Sequence, residues 1–267
     1  MDLTDEQWAV LEPLIGAMPR RADAGGRPWR SSREVLNGIL WILRTGAQWA
    51  DLPQRYPPYQ TCHRRYQRWV REGLFEHVLE ALAADLKERG KLDLSECFID
   101  GTFIVAKKGR MRGGPTKQGK GTKRMAMATL VDRFGLPLAL YATSAPPRFR
   151  LTRVALSPRP LDSRFVAELP QRLIGDRAYD ADPLDVELAK LGVEMTAPHR
   201  RNRTKPKTQD GRPLRRYRRR WKIERRFAWL GNFRRLVVRY ERSALTYLGF
   251  VQLGCLLILL RWRVYVK

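Results

Sequence analysis

The chain has 267 residues, with 52 Lys or Arg against 27 Asp or Glu, giving a formal charge of +25 and an isoelectric point of ≈ 10.8. That excess goes beyond what solubility requires and calls for an extended polyanion as partner, most simply a nucleic acid, with a membrane surface the weaker alternative. Three widely spaced cysteines with no C-x-x-C pair exclude a disulfide framework or zinc ribbon and fit a reducing, cytoplasmic setting, and 43% hydrophobic residues with eight Trp suffice for a sizeable core.

The opening Met-Asp-Leu-Thr-Asp-Glu-Gln has neither the charged leader nor the apolar run of a signal peptide, so secretion is not expected. Thr4 followed by Asp5, Glu6 and Gln7 predicts a capped helix with Trp8, Leu11 and Ile15 on its apolar face. After a Gly/Arg loop over Arg20–Arg30, a helix from Ser32 to Arg44 carries Val35, Leu36, Ile39, Leu40 and Leu43, and Gly46 ends it. A turn from Trp49 to Pro58 leads to a helix beginning at Thr61 whose exposed positions are expected to include His63, Arg64, Arg65, Arg68 and Arg71. Helix, turn and basic helix in this order fit a helix-turn-helix with Arg64, Arg65 and Arg68 toward DNA; the alternative is a solvated face on a packing helix. One more amphipathic helix, Glu76–Lys91, closes a helical region assigned to residues 1–92.

At Glu96 the pattern changes from helical to a β-rich run. Cys97–Ala106 reads as a strand with one acid, Asp100, among Phe98, Ile99, Phe103 and Ile104, and an acid so placed needs a cation or metal beside it. Lys107–Lys123 is a Gly/Lys loop suited to touching DNA, with Lys120 and Lys123 as contacts. Met125–Val131 and Leu136–Ala142 form a hairpin around Asp132–Gly135. Pro146–Pro160, with four Pro and four Arg, has neither period and predicts an irregular exposed connection, with Phe165–Leu169 the only helical turn before the next strand. That strand, Leu173-Ile174, ends at Gly175-Asp176; a helix from Asp182-Pro183 to Leu191 and a short strand Val193–Ala197 follow.

Arg200–Arg242 holds eighteen Lys/Arg against Asp210, Glu224 and Glu241. Within it, Tyr217–Leu230 predicts a helix: Ile223, Phe227 and Leu230 mark a buried face, and Tyr217, Arg220 and Glu224 share the stripe beside it. Glu224 is open to two readings, an ion-pair partner for Arg220 or Arg225, or a ligand. Trp221, Phe227 and Trp229 are expected in the core, as is the apolar helix around Leu253–Leu260, whose run is too short for a bilayer span of ~20 residues. His63, His77 and His199 have no ligand spacing and are assigned to surface or packing.

Three acids on separate elements, Asp100, Asp176 and Glu224, converge favourably only around cations. Oxygen ligands select Mg²⁺ or Mn²⁺, and two such ions about 3.5–4 Å apart can drive phosphodiester chemistry. On spacing alone Asp180, Asp182 or Asp185 serve equally well. Phe-Ile-Asp100-Gly-Thr, Ile-Gly-Asp176-Arg-Ala-Tyr-Asp and Tyr217-x2-Arg220-x3-Glu224 resemble, in order and spacing, the signature segments of DDE transposases, most closely the insertion-sequence-five family of the insertion-sequence-four-like group. Leu-Thr-Asp-Glu-Gln-Trp and Gly46-Ala-Gln-Trp-Ala-Asp-Leu-Pro53 resemble that family's helical DNA-binding region.

The resemblance implies an α/β fold, an RNase H-like mixed sheet flanked by helices over residues 93–267, preceded by the all-α, helix-turn-helix-like region. It also implies Asp100, Asp176 and Glu224 as a catalytic triad for two Mg²⁺ or Mn²⁺, with Tyr217 and Arg220 supporting Glu224 and contacting DNA. The partners implied are double-stranded DNA, at element ends and target, and further copies of the chain, with no membrane. The sequence departs from the family pattern at Gly231, where a basic residue is usual, and over Pro146–Pro160, where loss and recovery of pattern resembles two compensating frameshifts and predicts weak turnover. A catalytically defective DNA-binding remnant and a stand-alone RNase H-like nuclease remain as alternatives.

Overall fold

Thr4 starts α1 (Asp5–Ile15) with a reciprocal cap: its hydroxyl accepts the Gln7 N–H and the Gln7 side chain accepts the Thr4 N–H, each at 3.2 Å. The computed structural model describes residues 2–16, 28–107, 114–115, 123–144, 162–204, 206, 208 and 211–265. In α2 (Ser32–Thr45) the predicted stripe is buried, and Gly46 stops the helix at φ 70°. A Cβ on Gly46 would lie 3.0 Å from the Arg234 Cβ, so glycine serves both the left-handed turn and a close approach by the distant C-terminal segment. A 3₁₀ turn (Trp49–Asp51) joins α2 to α3 (Tyr59–Arg71), which starts two residues before the expected Thr61; α4 (Leu74–Glu88) follows.

Arg65 departs from its expected place on the solvent face. It is buried, its guanidinium donates to Ser32 Oγ and Arg30 O at 3.5 Å, and it lies 4.9 Å from the Trp29 ring and 5.6 Å from that of Trp69. Helical spacing places it on the same stripe as Cys62, Tyr66 and Trp69, and two aromatic faces compensate the lost water. Arg64 is exposed, and Arg68 is half-buried with its Nε 2.7 Å from Glu72 Oε1.

Eight strands make one mixed sheet among the described residues: β1 (Cys97–Ala106), β2 (Gly114–Pro115), β3 (Lys123–Val131), β4 (Pro137–Ser144), β5 (Asp162–Arg164), β6 (Arg172–Ile174), β7 (Glu194–Thr196) and β8 (Val238–Arg239). Their order is β5-β4-β3-β1-β6-β7, with β2 on β3 and β8 on β1. The β1, β3, β4 and β5 neighbours are antiparallel, whereas β6 and β8 run parallel to β1, and β7 parallel to β6. The parallel β6–β7 pair requires a crossover, supplied by α5 (Asp182–Lys190). Helices α6 (Gly211–Tyr217), α7 (Trp221–Gly231), α8 (Arg234–Val237) and α9 (Ala244–Tyr265) complete the chain.

The helix expected over Phe165–Leu169 is absent: the Phe165 N–H continues the sheet by donating to Leu138 O at 2.8 Å, and the chain runs on through bends to β6. Lys120 and the segment Pro146–Pro160 lie outside the described residues, and Lys123 opens β3 by pairing with Pro115. The 22-residue α9 is long and apolar enough to cross a bilayer, yet it runs through the protein core. One apolar cluster extends from Leu3 through α2, α3 and α4 to the sheet and Leu260, so the N-terminal helices and the sheet share a core. On the other sheet face a smaller cluster joins Phe98, Val131 and Ile174 to Ile223 of α7.

Candidate active site

Alternation along β1 puts Glu96, Phe98 and Asp100 on one face, and α7 packs there through Ile223 and Phe227. Two sets of charged contacts fix this packing. Buried Glu96 accepts at Oε1 from Arg219 Nη2 at 2.7 Å and pairs with Arg216 Nε at 3.0 Å, while Asp100 Oδ2 accepts from Arg220 Nη2 at 2.5 Å. The polypeptide tightens to a 3₁₀ turn over Arg218–Arg220, between α6 and α7, where the sequence predicts one continuous helix. The predicted stripe survives this tightening: Arg220 Nη1 donates to Tyr217 Oη at 3.2 Å and lies 3.6 Å from Glu224 Oε1.

Asp176 comes to the same region from β6. Parallel pairing sets Phe98 opposite Ile174, the last residue of β6; Asp100 continues β1 two residues on, while Asp176 lies two residues past the end of β6. Asp176 has extended backbone and caps a 3₁₀ turn, Arg177–Tyr179, with its Oδ1 accepting the Ala178 N–H at 2.8 Å. The preceding Gly175 has no room for a side chain, since a Cβ would meet the buried Tyr179 ring at 2.7 Å.

Arg220 is thus the cation that Asp100 was expected to need. Burial disfavours its charge, but Asp100 and Tyr217 outweigh burial and hold its pKa above the usual guanidinium value. Its Nε is buried without a partner, and so is the hydroxyl of Thr129, paired with Asp100 across the β1–β3 ladder. The Asp100 side chain is 17% exposed, whereas that of Glu224 is 60% exposed. No group of three His, Cys, Asp or Glu stands in metal-holding geometry among the described residues. What the fold shows is Asp100 on β1, Asp176 just past the end of the neighbouring strand β6, and Glu224 linked to Asp100 through Arg220. The carboxylate oxygens of Asp100 and Glu224 and the unpartnered Thr129 hydroxyl oxygen are hard donors of the kind Mg²⁺ or Mn²⁺ takes, whereas the Arg220 guanidinium competes with such an ion for Asp100.

Three sequence expectations are corrected here. Trp221 and Trp229 are not core residues: they are 50% and 40% exposed, stacked under Arg225 and Arg261. His199 is more than a packing residue, because its Nδ1 lies 3.0 Å from Asp180 Oδ1. Asp180, nominated on spacing as a possible ligand, is already held by His199, Arg200 and Arg203. Glu96 was not singled out from the sequence, although its alternation with Phe98 and Asp100 beside an arginine-rich helix was a usable signal.

Comparison with known proteins matches nearly the whole chain. Residues 3–79 fit a family model described as "Putative transposase of IS4/5 family", and residues 91–259 fit one described as "Transposase DDE domain". Two Burkholderia cepacia proteins of one element are similar. The "Insertion element IS402 uncharacterized 16.2 kDa protein" is 36% identical over 107 residues, covering 39% of this chain and 73% of that protein. The "Putative transposase for insertion sequence element IS402" is 32% identical over 163 residues, covering 58% and 73%. Among solved structures, the piggyBac transposase synaptic complex with hairpin DNA shares the fold at a TM-score of 0.52 and 10% identity, over 90% of this chain and 68% of that one. With its mixed RNase H-like sheet and these two matches, the chain belongs to the DDE transposase family of the IS4/5-like type.

Proposed function

We propose that this transposase binds the ends of an insertion sequence and cuts and rejoins DNA strands there, with Asp100, Asp176 and Glu224 holding two divalent ions. The observation that supports this reading is that Arg220 pairs with Asp100 and lies within reach of Glu224, while Asp176 leaves the end of the strand that pairs in parallel with β1. Bound there, Mg²⁺ or Mn²⁺ would supply Lewis acidity to the attacking and leaving oxygens of a phosphodiester. The protein's own groups do the rest. Glu96, Arg216 and Arg219 keep the α6–α7 junction seated on β1, Tyr217 orients the Arg220 fork, and the surrounding arginines hold phosphate oxygens. In this division of labour residues 1–92 select the DNA and residues 93–267 perform the chemistry. Purified protein should cleave the flanking element ends in Mg²⁺ and join the new 3′ ends to a target. Cleavage without joining would point to a nuclease, and neither activity to a binding remnant.

Arg220 has two uses in this reading. It neutralises Asp100 in the free protein and contacts DNA once Asp100 has another cation. Arg220→Gln is therefore expected to raise Mn²⁺ affinity in the absence of DNA by roughly tenfold, because a competing positive charge is removed, and to lower DNA affinity. Mn²⁺ titration followed by electron paramagnetic resonance checks the first effect; unchanged or weaker Mn²⁺ binding would contradict it.

The DNA-selecting face is reduced by the burial of Arg65. Arg64→Ala and Arg68→Ala should each lower the slope of log K against log salt by about one, since each removes one phosphate contact, with stability unchanged for Arg64 and lowered by no more than about 1 kcal/mol for Arg68, which loses its exposed pair with Glu72. Arg65→Ala should leave that slope unchanged and cost about 1–3 kcal/mol of stability, through lost stacking on Trp29 and Trp69. Salt-dependent binding and denaturant melts of the three variants separate these roles.

A further inference from the structure

The turn that Asp176 caps is gripped from outside by a network that does not belong to the triad. Asp180, almost completely buried, accepts from the Arg200 N–H at 2.7 Å, from Arg203 Nη1 at 2.9 Å and from His199 Nδ1 at 3.0 Å. The Thr208 N–H donates to His199 Nε2 at 3.3 Å, which fits the tautomer with its proton on Nδ1. A second arm of Arg203 reaches Asp182 Oδ1 at 2.7 Å. Arg200, held by Asp180 through its backbone, turns its guanidinium onto the turn itself: Nε donates to Arg177 O at 3.1 Å and Nη2 to Ala178 O at 2.8 Å. Burial alone would raise the Asp180 carboxyl, but these donors outweigh it and keep its pKa below the ordinary value.

Two arginines from the most basic part of the chain are thus committed to protein oxygens. Apart from the bonds of Arg203 Nε and Nη2 to Pro206 O at 3.1 and 3.0 Å, their contacts end within six residues of Asp176, on a segment whose inner side is fixed by Tyr179 packed against Gly175. We propose that Asp180 is a positioning residue for Asp176: by holding His199–Arg203 it keeps Arg200 on the turn carbonyls, and so sets the Asp176 carboxylate beside Asp100. The proposal rests on the reading of Asp176 as a metal ligand, and it predicts that the basic segment after β7 and the second carboxylate behave as one mechanical unit. Partners of this kind outside the ligand set are worth about 10–100-fold in metal affinity.

The test is Mn²⁺ titration of the purified full-length chain without DNA, read by electron paramagnetic resonance, for wild type, Asp176→Asn, Asp180→Asn, Arg203→Met and Arg203→Lys. Asp180→Asn and Arg203→Met are expected to weaken Mn²⁺ binding roughly tenfold, and Arg203→Lys, which retains the charge, to recover part of the loss. Arg203→Met leaves Asp180 its contacts with His199 and Arg200, so it keeps the test available if Asp180→Asn does not fold. Wild-type Mn²⁺ affinity in folded Asp180→Asn and Arg203→Met, even with a lowered melting temperature, would overturn the proposal and leave the triad standing. Wild-type affinity in Asp176→Asn would instead overturn the assignment of Asp176, and the proposal with it.

Discussion

Asp100→Asn is expected to lower Mg²⁺-dependent strand cleavage by roughly 10³-fold or more, the scale on which a catalytic set collapses when one member is lost, while DNA affinity is unchanged or slightly higher. The substitution preserves size, and an Asn oxygen can still accept from Arg220, so the packing of α7 on β1 through Phe98, Val131, Ile174 and Ile223 should persist. What disappears is the negative charge that a divalent ion requires at the middle of the site. Removing that charge from a surface that meets phosphate also reduces repulsion, hence the predicted direction for binding. Cleavage and filter-binding assays on the same DNA separate the two effects. Wild-type cleavage by this variant would remove Asp100 from the chemistry.

The largest expected effect on stability lies elsewhere, at Glu241. Arg235 Nε donates to Glu241 Oε1 at 2.7 Å, and both side chains are under a tenth exposed. Arg239, also buried, has its guanidinium on the carbonyls of Glu241 and Arg242 and on Met125 Sδ. Glu241 is therefore the negative charge that faces two desolvated guanidinium groups. Arg235 in turn donates to Ala47 O at 2.9 Å, which ties the loop after α2 to the segment entering α9. Glu241→Ala should cost about 3–5 kcal/mol, because one member of a buried pair is left uncompensated. In a protein of this size that corresponds to a melting point lower by roughly 10 °C. A change within 2 °C, on the order of 1 kcal/mol, would show that the pair is not what joins the two regions.

Regular elements were legible where one period dominates. Cys97–Ala106, rich in β-branched and aromatic residues, forms the predicted strand, and the Ile223, Phe227, Leu230 face of α7 packs as its spacing requires. Elements whose ends depend on tertiary partners were less so. The Phe165 N–H is taken by a neighbouring strand, and the 3₁₀ turn at Arg218–Arg220 follows from the demands of Glu96 and Asp100, 120 or more residues away in sequence. Arg65 shows the same limit from another side. Charge alone placed it on the surface, and only the positions of Trp29 and Trp69 in space reveal why a guanidinium can be buried there.

For the site, the resemblance to the transposase signatures named the three acids, and the structure places the first two on and just past neighbouring parallel strands. Helical spacing indicated the contact of Arg220 with Glu224, but no sequence pattern indicated that Arg220 also holds Asp100, or that Asp180 secures the turn at Asp176. Both depend on side chains from remote segments, and a one-dimensional spacing does not encode that convergence.

The central claim, that Asp100, Asp176 and Glu224 share divalent ions, is tested most directly by crystallising the protein with Mn²⁺ and measuring anomalous diffraction. Peaks between the Asp100 and Asp176 carboxylates and beside Glu224, with Arg220 withdrawn from Asp100, are the predicted result. Mn²⁺ bound only away from these three residues, with the Arg220–Asp100 pair intact, would contradict the account.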